Sequence, residues 1–116
     1  MKILVVDDEK NILRLYKAEL EDEGYSIVTA NTGQEALEVF DRENPDLVTL
    51  DIMMPDMDGI QVLRQLKQKN SQVPVIMLTA YDYRDDFSVW VSDAYVVKSS
   101  DLNNLKATIK QIFGKK

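Results

Sequence analysis

Five short apolar runs, each followed by a polar stretch with helical spacing, constrain this chain more than any other feature of its sequence. The first is Ile3-Leu4-Val5-Val6, apolar at every position and rich in β-branched residues, the pattern of a strand buried on both faces. Ile12, Leu15, Tyr16 and Leu20 then form one stripe of a helix, and Gly24 supplies its C-terminal cap. Tyr25 to Ala30 is the second strand. Thr32-Gly33-Gln34-Glu35 fits a capping box that opens a helix through Ala36, Leu37 and Phe40. Asn44-Pro45 stops that helix, because the residue before a proline is pushed out of the helical region. Asp46 to Leu50 is the third strand, ending at Asp51. Asp58-Gly59-Ile60-Gln61 caps a helix with Leu63 and Leu66 inside, and Val73 to Leu78 forms the fourth strand, ending at Thr79. The spacing predicts a short helix near 82–91 and a fifth strand from Ala94 to Val97, ending at Lys98. A last amphipathic helix from about Asp101 carries Leu102, Leu105, Ile109, Ile112 and Phe113.

Strands alternating with helices in this way imply an α/β fold, a doubly wound five-stranded parallel sheet with right-handed crossovers and helices on both faces. The 116 residues suffice for one domain with its own core, and no linker, repeat or low-complexity stretch divides them. Hydrophobic residues make up 45% and charged residues 29%, a globular profile. No apolar run approaches the roughly 20 residues of a membrane span, and the N-terminal one is too short for a signal-peptide core. A cytoplasmic protein is expected.

The absences are equally informative. Without cysteine there are no disulfides, thiolate metal sites or thiol nucleophiles. Without histidine there is no imidazole ligand, no imidazole base and no phosphohistidine. Any metal must sit on oxygen ligands, which favours Mg²⁺, Mn²⁺ or Ca²⁺. A net charge of -6 argues against direct binding to nucleic acid, whose phosphates must be neutralised.

In an open parallel sheet, ligands bind beyond the carboxyl ends of the strands. Asp7 and Asp8 follow the first strand, Asp51 ends the third, Thr79 the fourth and Lys98 the fifth. Singly, each has an ordinary structural use, since aspartates cap helices and turns. Jointly, three carboxylates, a hydroxyl and an ammonium converge on one edge. Like charges held close repel unless a cation neutralises them, and a hard divalent cation resolves that conflict. The same set suits phosphoryl transfer. A carboxylate such as Asp51 is an anionic nucleophile, while the metal, Lys98 and the Thr79 hydroxyl can stabilise the transferring phosphoryl oxygens.

At this level of detail the chain resembles the receiver domain of two-component response regulators. The segments that carry the likeness are Val5-Val6-Asp7-Asp8-Glu9, then the run Leu50-Asp51-Ile52-Met53-Met54-Pro55-Asp56-Met57-Asp58-Gly59, then Leu78-Thr79-Ala80 and Tyr95-Val96-Val97-Lys98. They span essentially the whole chain, so residues 1–116 read as one receiver domain of flavodoxin-like topology, strand order 2-1-3-4-5. The resemblance implies that Asp7, Asp8, Asp51 and the Met53 backbone carbonyl hold Mg²⁺. It implies that Asp51 accepts a phosphoryl group from a histidine kinase or phosphotransfer protein, that Thr79 moves to meet it, and that Lys98 pairs with it. Tyr95 matches the family's aromatic switch. The output implied is protein–protein contact with a downstream target.

Three departures from the family pattern stand out. Ser99 follows Lys98 where proline is usual, so the peptide is either trans with a rebuilt loop or a strained cis bond costing about 3–4 kcal/mol. Only 18 residues separate Thr79 from Lys98, a short interval for the family, and the usual glycine before the fifth strand is absent from Trp90-Val91-Ser92-Asp93-Ala94. Met53 and Tyr81 flank the site, and their bulk is expected to hinder an attacking water and prolong the phosphoryl group's life. Two other functions fit parts of the pattern. A Mg²⁺-dependent phosphatase with an aspartyl-phosphate intermediate needs a second acid two residues after the nucleophile, where Met53 stands. A binding module that has lost phosphorylation would not need the full Asp7, Asp8, Asp51, Thr79 and Lys98 set.

Overall fold

Each of the five apolar runs is a strand. In the computed structural model, β1 spans Lys2–Val6, β2 Ser26–Ala30, β3 Leu47–Asp51, β4 Val75–Thr79 and β5 Ala94–Val97. The helices are α1 (Lys10–Asp22), α2 (Gly33–Glu43), α3 (Gly59–Lys69) and α4 (Asn103–Gly114). The structure describes residues 1–52, 54, 56, 58–79, 94–97 and 102–114, with Thr79 and Tyr95 described by their backbone alone. The expected helix at 82–91, the Met53 carbonyl, Tyr81, Lys98 and the Lys98–Ser99 peptide lie outside the described residues.

The strands form one parallel sheet in the order β2-β1-β3-β4-β5. The chain starts one strand in from an edge, steps to that edge, returns past its origin and then runs to the other edge. That reversal leaves β1 and β3 as neighbours at the switch point, beyond whose carboxyl ends open α/β sheets bind their ligands. Register sets the detail: Val6 lies opposite Leu50, Asp51 opposite Leu78 and Thr79 opposite Val97.

Strand side chains alternate between faces, so the sheet divides the core in two. Leu4, Val6, Val48, Leu50 and Met77 pack with Ala36, Leu37, Val39 and Phe40 of α2 and with Val62, Leu63 and Leu66 of α3. Ile3, Val5, Leu47, Ile76 and Leu78 pack with Leu13, Tyr16 and Leu20 of α1 and with Leu105 and Ile109 of α4. Because both faces are covered, the central strands are apolar at nearly every position, and that is why they stand out in the sequence. Thr49 is the polar exception inside the sheet: it is fully buried, and its Oγ1 has no hydrogen-bond partner among the described residues.

The structure corrects the phase of α1. Leu15, expected on the inner stripe, is 44% exposed, whereas Leu13 joins Tyr16 and Leu20 in the core. At 100° per residue, Leu15 lies about 140° around the helix from Leu20. The strand boundaries shift by small amounts for local reasons. β4 begins at Val75 rather than Val73, since Pro74 has no N–H for the ladder and contributes its carbonyl to the Val48 N–H at 3.0 Å. Asp46 precedes β3 instead of belonging to it, and its carboxylate accepts the Lys2 N–H at 2.7 Å.

The helix signals hold. Gly24 follows α1 at φ 97, and Asn44 ends α2 in the left-handed region at φ 47, just before Pro45. Thr32 Oγ1 accepts the Glu35 N–H at 3.0 Å, while the Glu35 carboxylate turns back to the Asn31 N–H at 2.9 Å, one residue further out than in an ideal capping box. Asp58 Oδ1 accepts the Ile60 N–H at 2.9 Å and caps α3.

Candidate functional site

Among the described residues, five aspartates crowd the carboxyl edge near the switch point, and the structure sorts them into two groups. Asp7, Asp8 and Asp51 each offer a carboxylate oxygen such that these oxygens all lie within 4.8 Å of one another. Asp56 and Asp58 instead face helix N-termini, where backbone amides and the helix dipole favour a negative charge.

The cluster is a direct product of strand register. β1 and β3 end side by side, so the first polar residues after their apolar runs must meet. Asp7 and Asp51 are almost fully buried, at 1% and 4% exposure, while Asp8 is exposed. One side of the cluster is therefore built into the protein and the other opens to solvent. Asp7 is held at two points: its N–H donates to the Ala30 carbonyl at 3.1 Å, and its Oδ1 accepts the Glu9 N–H at 3.0 Å. This fixes the turn from β1 into α1 and aims the carboxylate along the edge.

Asp51 is the last residue of β3, and its neighbours secure the backbone on both sides. Ile52 donates its N–H to the Leu78 carbonyl at 3.1 Å and accepts the Gly59 N–H at 2.8 Å. Gly59 is required by this closure. A Cβ placed there would lie 2.6 Å from Ile52 Cα, and closer still to the Asp51 carbonyl oxygen. The start of α3 thus packs directly on the backbone that presents Asp51.

Three carboxylates in this space are mutually repulsive, and two of them have lost most of their contact with water. A cation that takes oxygen ligands and keeps some of its own waters suits such a half-open set, as Mg²⁺ does. The donor chemistry fits, since every ligand atom of the cluster is a carboxylate oxygen. Mg²⁺ suits this site.

Of the remaining expected site residues, Thr79 ends β4, next to the β3 end that carries Asp51, and Tyr95 lies within β5 opposite Met77. Both backbones are therefore on the strands that the sequence assigned them. Asp56 is the residue whose part in this edge the sequence did not reveal. Its Oδ1 and Oδ2 accept the Gly33 and Gln34 N–H groups at 2.9 and 3.1 Å, across more than twenty residues of chain.

Comparison with known proteins gives a consistent result. Residues 3–110 match the model of the response regulator receiver domain. The chain is 42% identical over 114 residues to the alkaline phosphatase synthesis transcriptional regulatory protein PhoP of Bacillus subtilis, covering 96% of this chain and 48% of that one. It thus spans about half the length of that regulator. Among solved structures it is similar to the response regulator TrrA of Thermotoga maritima in complex with Mg²⁺ and BeF, with TM-score 0.92, 49% identity, and coverage of 96% of this chain and 97% of that one. TrrA in its complex with the histidine kinase ThkA matches at TM-score 0.90 with the same identity and coverage.

Proposed function

The chain belongs to the response regulator receiver domain family, and from that premise we propose that it is a phosphorylation switch whose phosphoacceptor is Asp51. Receiver domains are signalling domains of two-component systems rather than turnover enzymes. The observation that carries the proposal is the meeting of Asp7, Asp8 and Asp51, with carboxylate oxygens within 4.8 Å of one another, at the sheet's switch point. On this reading residues 1–116 are one receiver domain acting in the cytoplasm.

Asp7, Asp8, Asp51 and the Met53 backbone carbonyl would hold Mg²⁺. Bound there, Mg²⁺ supplies positive charge against the carboxylates and against the oxygens of an incoming phosphoryl group. The protein's part is positioning. An Asp51 carboxylate oxygen attacks phosphorus of a phosphohistidine; the new O–P bond forms as the P–N bond breaks, and the imidazole leaves with the electron pair. Asp51 suits this step because the closures at Ile52 and Gly59 hold its backbone in place. Thr79 would donate its hydroxyl to one phosphoryl oxygen, and Lys98 would place an ammonium against another. Movement of Thr79 toward the phosphoryl group would be relayed through Tyr95 to the surface that meets a downstream protein. Met53 and Tyr81 would shield the product from water.

The kinase partner is proposed by similarity to TrrA, which was solved in complex with the histidine kinase ThkA. The Mg²⁺ requirement is proposed by similarity to the Mg²⁺–BeF complex of the same protein. The test is addition of Mg²⁺ and beryllofluoride, or a small phosphodonor, to wild type and to Asp51→Asn. A Mg²⁺-dependent adduct on wild type and none on the variant is expected. Equal labelling of the two would overturn the assignment of Asp51. Wild type that neither binds Mg²⁺ nor forms an adduct would point instead to a binding module.

A further inference from the structure

The loop that leaves Asp51 is tied to a helix on another segment of the chain. Asp56 sits within it, and its two carboxylate oxygens accept the first two amides of α2, Gly33 N–H at 2.9 Å and Gln34 N–H at 3.1 Å. Such amides have no acceptor inside their own helix, and they lie at the positive end of its dipole. Local sequence has already used the other capping groups of α2. Thr32 Oγ1 takes the Glu35 N–H, the Thr32 carbonyl takes the Ala36 N–H, and the Glu35 carboxylate takes the Asn31 N–H. Asp56 completes the cap from a distance.

The consequences for helix and loop differ. α2 is anchored by Ala36, Leu37, Val39 and Phe40 in the core, so the helix survives loss of Asp56. The loop between β3 and α3 is anchored at its start by the Ile52 N–H to Leu78, and at its end by the Asp58 cap and the Gly59 N–H. Between those ends, among the described residues, Met54 packs against the core and the paired bonds from Asp56 supply the polar attachment to the rest of the fold. Two charge-assisted bonds in parallel fix direction as well as distance.

We infer that Asp56 is a positioning residue for the phosphoacceptor site: its bridge to the Gly33 and Gln34 amides holds the loop after Asp51 in the conformation that receives Mg²⁺ and the phosphoryl group. The inference rests on the function proposed above. With the bridge broken, the site is competent only in the fraction of molecules whose loop is correctly placed, and apparent affinity falls by that fraction. Coupling runs both ways, so Mg²⁺ binding in turn strengthens the bridge and slows hydrogen exchange of the two amides.

The test is calorimetric titration of Mg²⁺ into wild type, Asp56→Ala, Asp56→Asn and Thr32→Ala, with hydrogen exchange at Gly33 and Gln34 followed by NMR with and without Mg²⁺. Thr32→Ala removes a cap from the same helix without touching the loop, and so reports what a merely structural role would do. Asp56→Ala is expected to weaken Mg²⁺ binding about tenfold, as loss of a group that orients metal ligands does. Asp56→Asn, which keeps one oxygen acceptor, falls between, and Thr32→Ala binds as wild type does. In wild type and in Thr32→Ala, Mg²⁺ slows exchange at both amides, and in Asp56→Ala it does not. If Asp56→Ala binds Mg²⁺ like wild type, or Thr32→Ala loses as much affinity, the positioning role is overturned while the phosphorylation switch stands. If wild type itself shows no Mg²⁺ binding, the function proposed above fails, and the inference with it.

Discussion

The two ends of the same sheet treat charge in opposite ways. At the amino edge, acids meet bases. Lys2 Nζ lies 3.0 Å from Glu43, Lys69 Nζ lies 2.8 Å from Asp41, and Asp46 takes the backbone N–H of Lys2. At the carboxyl edge, Asp7, Asp8 and Asp51 are gathered against one another. A hollow of about 400 Å³ opens at the amino edge, lined by Asp41, Asn44, Asp46 and Lys69 among others. Its charged groups already satisfy one another, so this opening is the less promising site. Concavity alone does not mark function; like charges brought together at a structural cost do.

If that contrast is right, the carboxyl edge should respond strongly to changes in shape and charge. The largest effect is expected at Gly59. Gly59→Ala places a methyl group against Ile52 and the Asp51 carbonyl, and should lower stability by about 3 kcal/mol, the upper range for overpacking. Urea unfolding measures the loss, and phosphorylation of the folded fraction should fall as well, because the displaced backbone is the one presenting Asp51. A variant as stable as wild type would show that this edge is looser than its geometry implies.

Next in size is Asp8→Asn, where two outcomes of opposite sign are expected. Removing one exposed charge from the cluster should raise the stability of the metal-free protein by about 1 kcal/mol, the scale of a like-charge contact in water. The same change should weaken Mg²⁺ binding, and with it the stabilisation that Mg²⁺ confers on the folded state. Thermal unfolding with and without Mg²⁺ reads both. Destabilisation of the metal-free form would mean that Asp8 has a structural role and that the two edges are less different than they look.

The cluster was legible in the sequence for a simple reason. In a sheet covered on both faces, the first charged residue after an apolar run marks the strand end, and Asp7 and Asp51 are such residues on adjacent strands. The strands themselves were legible because burial on both faces leaves little polarity inside them. α1 was harder. Leu13 and Leu15 are two apolar residues on one helix, and only the position of the sheet decides which turns inward. Asp56 was harder still. Asp56 and Asp58 belong to the same turn-rich stretch, yet one caps the helix that follows it and the other a helix that begins more than twenty residues earlier. Local pattern finds the first kind of cap. The second depends on how α2 and the β3–α3 loop come together, which spacing along the chain does not encode.

Between the edges, Thr49 separates stability from function. It lies on β3 two residues before Asp51, with its hydroxyl buried and no hydrogen-bond partner among the described residues. Thr49→Val keeps the shape and removes a group that lost its water on folding, so stability should rise by about 1 kcal/mol. Mg²⁺ affinity and phosphorylation at Asp51 should be unchanged. Loss of either would extend the functional region down the strand and blur the boundary between the two ends.

The smallest expected effect is at Glu43, and its sign matters more than its size. Hydrogen bonds from Lys2 and Arg42 hold its carboxyl below the ordinary value of 4.5. The folded value therefore lies under the unfolded one, and the contribution to stability is fully present above about pH 4.5 and disappears as pH falls through the lowered folded value. The pair is exposed enough for water and salt to screen it. Glu43→Gln should thus lower the urea midpoint slightly at about pH 7, and the difference from wild type should vanish as pH falls through the lowered folded value and Glu43 takes up its proton. Neutralising an acid would then destabilise one end of the sheet and stabilise the other under the same conditions. If Glu43→Gln and Asp8→Asn shift stability in the same direction at neutral pH, net charge rather than local arrangement governs both edges, and the contrast between them does not hold.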